Sequence, residues 1–199
     1  MPELCSCNDT RQALPPEELA RANFYSLLAR LFYAPPDADL LEGLAAAPGL
    51  ASDEGPMPDA WQALVWAAVR ADADTVQGAY ERSLRTTAYT QRSDPDATLA
   101  ALRRDLARLG LARHASSREP EDHIAALCDA MRHLIQTQKR DLAQQGRFFK
   151  RWIAPAAQPL CDAIAKQQRN SFYEYVAHFA EAFFELERCA FSLHYQPGH

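Results

Sequence analysis

Apolar positions recur every three to four residues in a series of long runs, and most prolines fall between the runs. That period is the signature of helices with one buried face. Pro15-Pro16 opens the first, with Glu17 and Glu18 placed where acids favour a helix dipole, and Leu19, Ala22, Leu27 and Leu31 carry its period. Pro35 and Pro36 end it near Tyr33. Asp37 caps a short second helix that reaches Ala47, before Pro48-Gly49. A third starts at Pro58-Asp59 and bears Trp61, Leu64, Val65 and Trp66. A fourth runs from Ala73 to Arg85 with Val76, Tyr80 and Leu84. Asp94-Pro95 opens a fifth, with Leu99, Leu102, Leu106 and Leu109 inward and Gly110 as its stop.

A sixth helix is expected from Pro120 to about Thr137, with Ile124, Leu127, Cys128, Met131, Leu134 and Ile135 on one stripe. Three more cover roughly 140–152, 155–168 and 171–193, the last carrying Phe172, Tyr175, Val176, Phe179, Phe183, Leu186 and Ala190. No run alternates as a strand does, and no internal repeat appears. The pattern predicts an all-α protein, a single-domain irregular bundle of about nine helices. Residues 1–14 read as a polar, disordered tail and residues 15–199 as the helical domain. The 120–137 and 171–193 helices, the richest in apolar positions, are expected to be buried against each other.

Composition adds little to the fold but removes function classes. A chain of 199 residues buries roughly 70% of its unfolded surface, so it needs neither metal nor disulfide to fold. The formal charge of −5, with no basic block, argues against nucleic acid, whose affinity comes from Lys and Arg on phosphate, and favours a basic partner. No apolar stretch reaches the roughly 18 residues of a membrane span. Met1 to Arg11 lacks the apolar core of an export signal. Five cysteines without framework spacing suit a reducing compartment, so a cytoplasmic location is expected. Cys128, Cys161 and Cys189 read as small core residues, and Cys5-x-Cys7 as two thiols of a loose tail.

No Gly-rich phosphate loop, serine elbow or zinc-protease motif is present, so the chain is read as a non-enzyme. Glu119 and His123 share a helix face, as do Asp129 and His133, but the two pairs point in different directions around the helix. The Glu-x-x-His repeats of di-iron bundles are absent, and neither metal nor cofactor is expected. The segment Glu119-Pro120-Glu121-Asp122-His123 reads as a helix start, with Glu121 and Asp122 in the first turn. His123 is the odd member, since a protonated imidazole belongs at the opposite helix end. Both Asp122 and His123 are placed off the buried stripe. Phe32, Trp61, Trp66 and Tyr80 read either as core or as an exposed aromatic patch for a peptide.

At Glu119-Pro120-Glu121-Asp122-His123 the chain resembles the TorD/DmsD family of redox-enzyme maturation chaperones, which carries a Glu-Pro-x-Asp-His element at the start of a long helix. A second element of that family is matched by Phe148-Phe149-Lys150-Arg151-Trp152-Ile153-Ala154-Pro155, followed by Phe172-Tyr173, and Phe24 to Tyr33 resembles its first helix. The segment from Arg85 to Ala97 is shorter than the family's hinge-like connection, and Ala156 stands where a Trp often follows the proline. Leu99 to Ala107 and Trp152 to Pro155 are most similar to members associated with formate dehydrogenases.

The resemblance implies a chaperone whose partner is an apo molybdoenzyme catalytic subunit, held through its N-terminal twin-arginine signal peptide. Glu119, Glu121 and Asp122 would then face the arginines, with His123 and Pro120 beside them. Phe32, Trp61, Trp66 and Tyr80 would line the apolar part. A monomer is expected, with a swapped dimer as its alternative. The rival readings are a helical metal-binding protein or enzyme using Glu119, Asp122 and His123, and a permanent subunit of a redox complex.

Overall fold

The computed structural model describes residues 14–51, 54–80, 94–112 and 120–193. The expected tail, the Cys5-x-Cys7 pair, Glu119 and most of the shortened Arg85 to Ala97 segment lie outside the described residues. Nine α-helices occupy them: α1 (Pro16–Tyr33), α2 (Ala38–Ala45), α3 (Pro56–Arg70), α4 (Ala73–Ala79), α5 (Pro95–Arg108), α6 (Ile124–Gln136), α7 (Leu142–Phe148), α8 (Ala154–Gln167) and α9 (Phe172–Leu193). None is long and apolar enough to cross a membrane.

Local signals account for most of the boundaries. The Asp37, Asp72, Asp94 and Asp141 carboxylates each accept a backbone N–H from the first turn of α2, α4, α5 and α7, which satisfies a donor that has no partner inside the helix. Ala34, ahead of Pro35, turns extended and ends α1. Helix α3 starts two residues earlier than the Pro58-Asp59 signal suggests. Gly55, at φ 119°, supplies a backbone turn that other residues adopt only under strain, so Pro56 becomes the first helical residue. Between α7 and α8 the chain does not break as expected. It widens into one π turn, Phe149–Ile153, closed by the Ala154 N–H on the Phe149 carbonyl. Pro155 has no N–H, and the wider turn carries the helix past that missing donor.

Helix α1 is the centre of the bundle. Ala22, Tyr25, Leu28, Leu31 and Phe32 are fully buried on it. It packs along α6 on one side and meets α9 on another, while α9 also packs on α8 and α3. The expectation that α6 and α9 pack chiefly on each other is therefore corrected: both are apolar because each covers a different neighbour. Where α1, α3 and α9 meet, the Phe24 ring lies edge-on to Trp61, Phe179 and Phe183 at 5.6, 5.5 and 5.6 Å, a geometry worth about 0.5–1.5 kcal/mol per pair beyond burial. Leu186, counted on the inner face of α9, is half exposed.

A polar clamp crosses this core. Arg21 on α1 donates to both carboxylate oxygens of Glu187 on α9, at 2.6 and 2.7 Å, and the Tyr25 hydroxyl donates to the same group at 2.8 Å. Gln145 on α7 accepts from Arg21 at 3.0 Å and donates to the Arg140 carbonyl at 2.8 Å. Burial and then the Glu187 charge push the Tyr25 hydroxyl well above its usual range, so it remains a donor.

Of the three helical cysteines, Cys128 and Cys161 are buried and Cys189 is exposed, against the expectation of three core thiols. Burial pushes the Cys128 and Cys161 thiols up and away from the reactive thiolate. Iodoacetamide at neutral pH is expected to alkylate Cys189 and spare the other two until the protein is unfolded. Peptide mass spectrometry reads this, and equal labelling of Cys128 and Cys189 in the native protein would contradict it.

Candidate functional site

The segment marked by Pro120 to His123 does not begin α6. It forms a turn closed by the His123 N–H on the Pro120 carbonyl at 3.1 Å, and the helix starts four residues later than expected, at Ile124. His123 is the N-cap. Its backbone is extended, at φ −71° and ψ 137°, and its Nδ1 accepts the Ala125 N–H at 3.2 Å. The proline was a true signal of a helix nearby. The side chain able to accept the first free N–H is the imidazole, however, so the boundary moved to it.

Asp122 and His123 are also not at the margin of the core. They are 1% and 0% exposed, which corrects the placement of both off the buried stripe. Glu121 is only partly buried. Its carboxylate receives two bonds from Arg103 on α5, at 3.1 and 3.0 Å. That hydrogen bond, then the Glu121 charge, and more weakly Asp122 behind it, raise the Arg103 guanidinium above its usual range. The acidic turn is therefore built in layers, with a buried Asp-His pair inside and an ion pair with α5 outside. Among the described residues no cluster of three His, Cys, Asp or Glu is arranged to hold a metal ion.

The four aromatic candidates separate. Phe32 is fully buried and Trp61 nearly so, with the Trp61 indole N–H donating to the Pro48 carbonyl at 2.9 Å. Tyr80 is half-buried. Its hydroxyl donates to the Phe32 and Tyr33 carbonyls at 3.0 and 2.6 Å, beside Tyr173, which holds the Leu31 carbonyl at 3.2 Å. These two tyrosines occupy carbonyls at the end of α1. Trp66 alone stands out from the surface, 55% exposed, with Val69 at 56% one turn further along α3. Trp61 and Trp66 lie on α3, which packs on α2 and α9, whereas Phe32 lies on α1, the helix that packs along α6.

One cluster was missed from the sequence. Asp105 on α5 accepts the Trp152 indole N–H at 3.1 Å and pairs with Arg151 at 2.9 Å and Arg108 at 3.2 Å. The Arg151 guanidinium lies 5.0 Å from the Trp152 ring centre. The residues were visible in the Lys150-Arg151-Trp152 element, but Asp105 sits in a different helix, and nothing local links the two.

Comparison with known proteins finds a match to one family model, described as nitrate reductase delta subunit, over residues 76–185. That is more than half of the chain, and it includes both the acidic turn and the π turn. No curated protein matches the chain.

Proposed function

The chain belongs to the nitrate reductase delta subunit family, which comprises NarJ- and TorD-type molybdoenzyme maturation chaperones, and from that premise we propose that it holds an apo molybdoenzyme catalytic subunit by its N-terminal twin-arginine signal until the cofactor is in place. The family is not a catalytic one, and the chain is proposed to carry out no reaction itself. A formate dehydrogenase is the client that the sequence similarities favour.

The observation that carries this reading is Trp66. A tryptophan and a valine exposed together on one helix face support a contact surface there. The apolar stretch of a signal peptide is suited to cover them as a helix laid along a groove. The acidic turn supplies the complement to the arginines. In the free protein Arg103 already sits on Glu121, so a client arginine would take over a place that an internal one holds. Helix α5, with only Thr98 and Leu102 buried, is free enough of the core to yield it.

The test is calorimetric titration with the twin-arginine signal peptide of a formate dehydrogenase. Trp66→Ala is expected to weaken binding about thirtyfold, the effect of removing an interface tryptophan worth about 2 kcal/mol, with an unchanged melting temperature because the ring is exposed. Arg103→Ala should tighten binding about two- to fivefold, since an exposed ion pair resists displacement by less than about 1 kcal/mol. A peptide that binds Trp66→Ala and the parent protein equally well would remove Trp66 from the site. No binding at all would remove the signal peptide as the ligand.

A further inference from the structure

Two hollows lie on either side of Arg147 and Arg151, which line both. The first, between α5 and α7, adds Arg108 and Arg140 to the rim. The second, between α7 and the end of α9, adds Lys150. Asp105 is the one acid among the residues lining either hollow, and it is already shared by Arg108, Arg151 and the Trp152 indole. Among the described residues, five cations and one acid line the two hollows, on a chain whose net charge is −5. The second hollow also has an apolar floor. Leu142, Ala143 and Phe191 line it, and Gly146 lets α9 come close, since a Cβ there would sit 3.1 Å from the Phe191 ring.

We propose that this trough is a second docking site, which takes an acidic segment of a partner polypeptide with apolar side chains interspersed. Guanidinium groups bind carboxylates through paired parallel hydrogen bonds, which a row of arginines can repeat along an extended chain. The apolar floor between Leu142 and Phe191 gives an interspersed leucine a place that a uniformly charged polymer would leave empty. A nucleic acid would meet the same cations but has no aliphatic side chain to place on the apolar floor. A twin-arginine signal is excluded here by its own charge, so the trough reads a different part of a client from that read by the acidic turn. The two sites stand or fall separately.

Calorimetric titration of the full chain with a synthetic peptide of repeated Glu-Glu-Leu tests this, with the Gln-Gln-Leu peptide and a single-stranded oligonucleotide as comparators. The acidic peptide is expected to bind, to weaken as salt is raised, and to lose about tenfold in affinity with Arg147→Glu. Arg147 is exposed, so that variant should melt with the parent protein, and Arg140→Glu provides a second, independent reversal. Equal binding of the acidic and Gln-containing peptides would overturn the proposal, as would affinity unchanged by both reversals. Tighter binding of the oligonucleotide than of the peptide would overturn it as well.

Discussion

Glu187→Ala is expected to cost about 3 kcal/mol of folding stability and to lower the melting temperature by roughly 6–12 °C in a chain of this length. Glu187 is 1% exposed and takes hydrogen bonds from Arg21 and Tyr25. Removing it leaves Arg21, its side chain only 16% exposed, with Glu18 as its remaining carboxylate partner, and the tyrosine hydroxyl loses its acceptor. Residual exposure of Arg21 lets water relieve part of that charge, which sets the value at the low end for a broken buried pair. Burial opposes the charged form of Arg21, but the hydrogen bond and charge of Glu187, with Glu18, outweigh it and hold the guanidinium pKa raised. Tyr25→Phe, which removes one donor and keeps the ion pair, should cost about 1–1.5 kcal/mol. Glu185→Ala on the exposed face of α9 should fall within about 0.5 kcal/mol of the parent. Urea denaturation of the three variants separates these levels. If Glu187→Ala lost no more than Glu185→Ala, the clamp would be geometry without energetic consequence.

His123→Ala is expected to destabilise the fold by about 3 kcal/mol, from loss of an N-cap worth about 0.5–2 kcal/mol together with the cavity left by a buried ring. The imidazole is 0% exposed and holds the first turn of α6 through its bond to the Ala125 N–H, and α6 is the long neighbour of α1. His123→Asn keeps a side-chain acceptor at the cap and should recover part of the loss. Asp122→Ala should also destabilise, because the carboxylate is as buried as its neighbour. Spacing alone places both residues off the buried stripe, where alanine would be tolerated; their burial reverses that outcome. It also changes how a maturation defect is read: in either variant the melting temperature must be measured beside client binding. A defect at Trp66, by contrast, reports on contact. A His123→Ala protein that melts with the parent would show that the cap is dispensable and return His123 to a purely functional role.

Much of the architecture was legible along the chain. The helices follow from the 3.6-residue period, and Asp37 and Asp94 end where side-chain caps are needed, because both signals are local and act within four residues. The apolar stripe of α6 is also as read, with Ile124, Leu127, Cys128, Met131, Leu134 and Ile135 all buried. Local rules begin to fail where two signals compete. At Pro120 the proline and the imidazole each propose a helix start three to four residues apart, and the one that can accept an N–H prevails. At Pro155 a π turn absorbs the missing donor without a break.

Beyond that, the answers lay in the tertiary structure. Periodicity states that a helix has an apolar face, and it is silent on which neighbour covers that face, so α6 was assigned to α9 when its partner is α1. Trp61 and Trp66 sit five positions apart on one helix, and one is buried while the other faces solvent, because α9 reaches only one side of α3. A polar residue at the edge of a stripe reads as exposed until something distant arrives to cover or pair it. Arg21 and Glu187 are 166 residues apart in sequence, Asp105 and Trp152 are 47 apart, and a rule that looks four residues ahead contains neither. The sequence by itself determined which segments are helical and which faces are apolar, since those are short-range consequences of side-chain type. The layered acidic turn, the clamp on α1 and the cationic trough were decided only by packing, since each is made of groups whose environment is supplied by another helix.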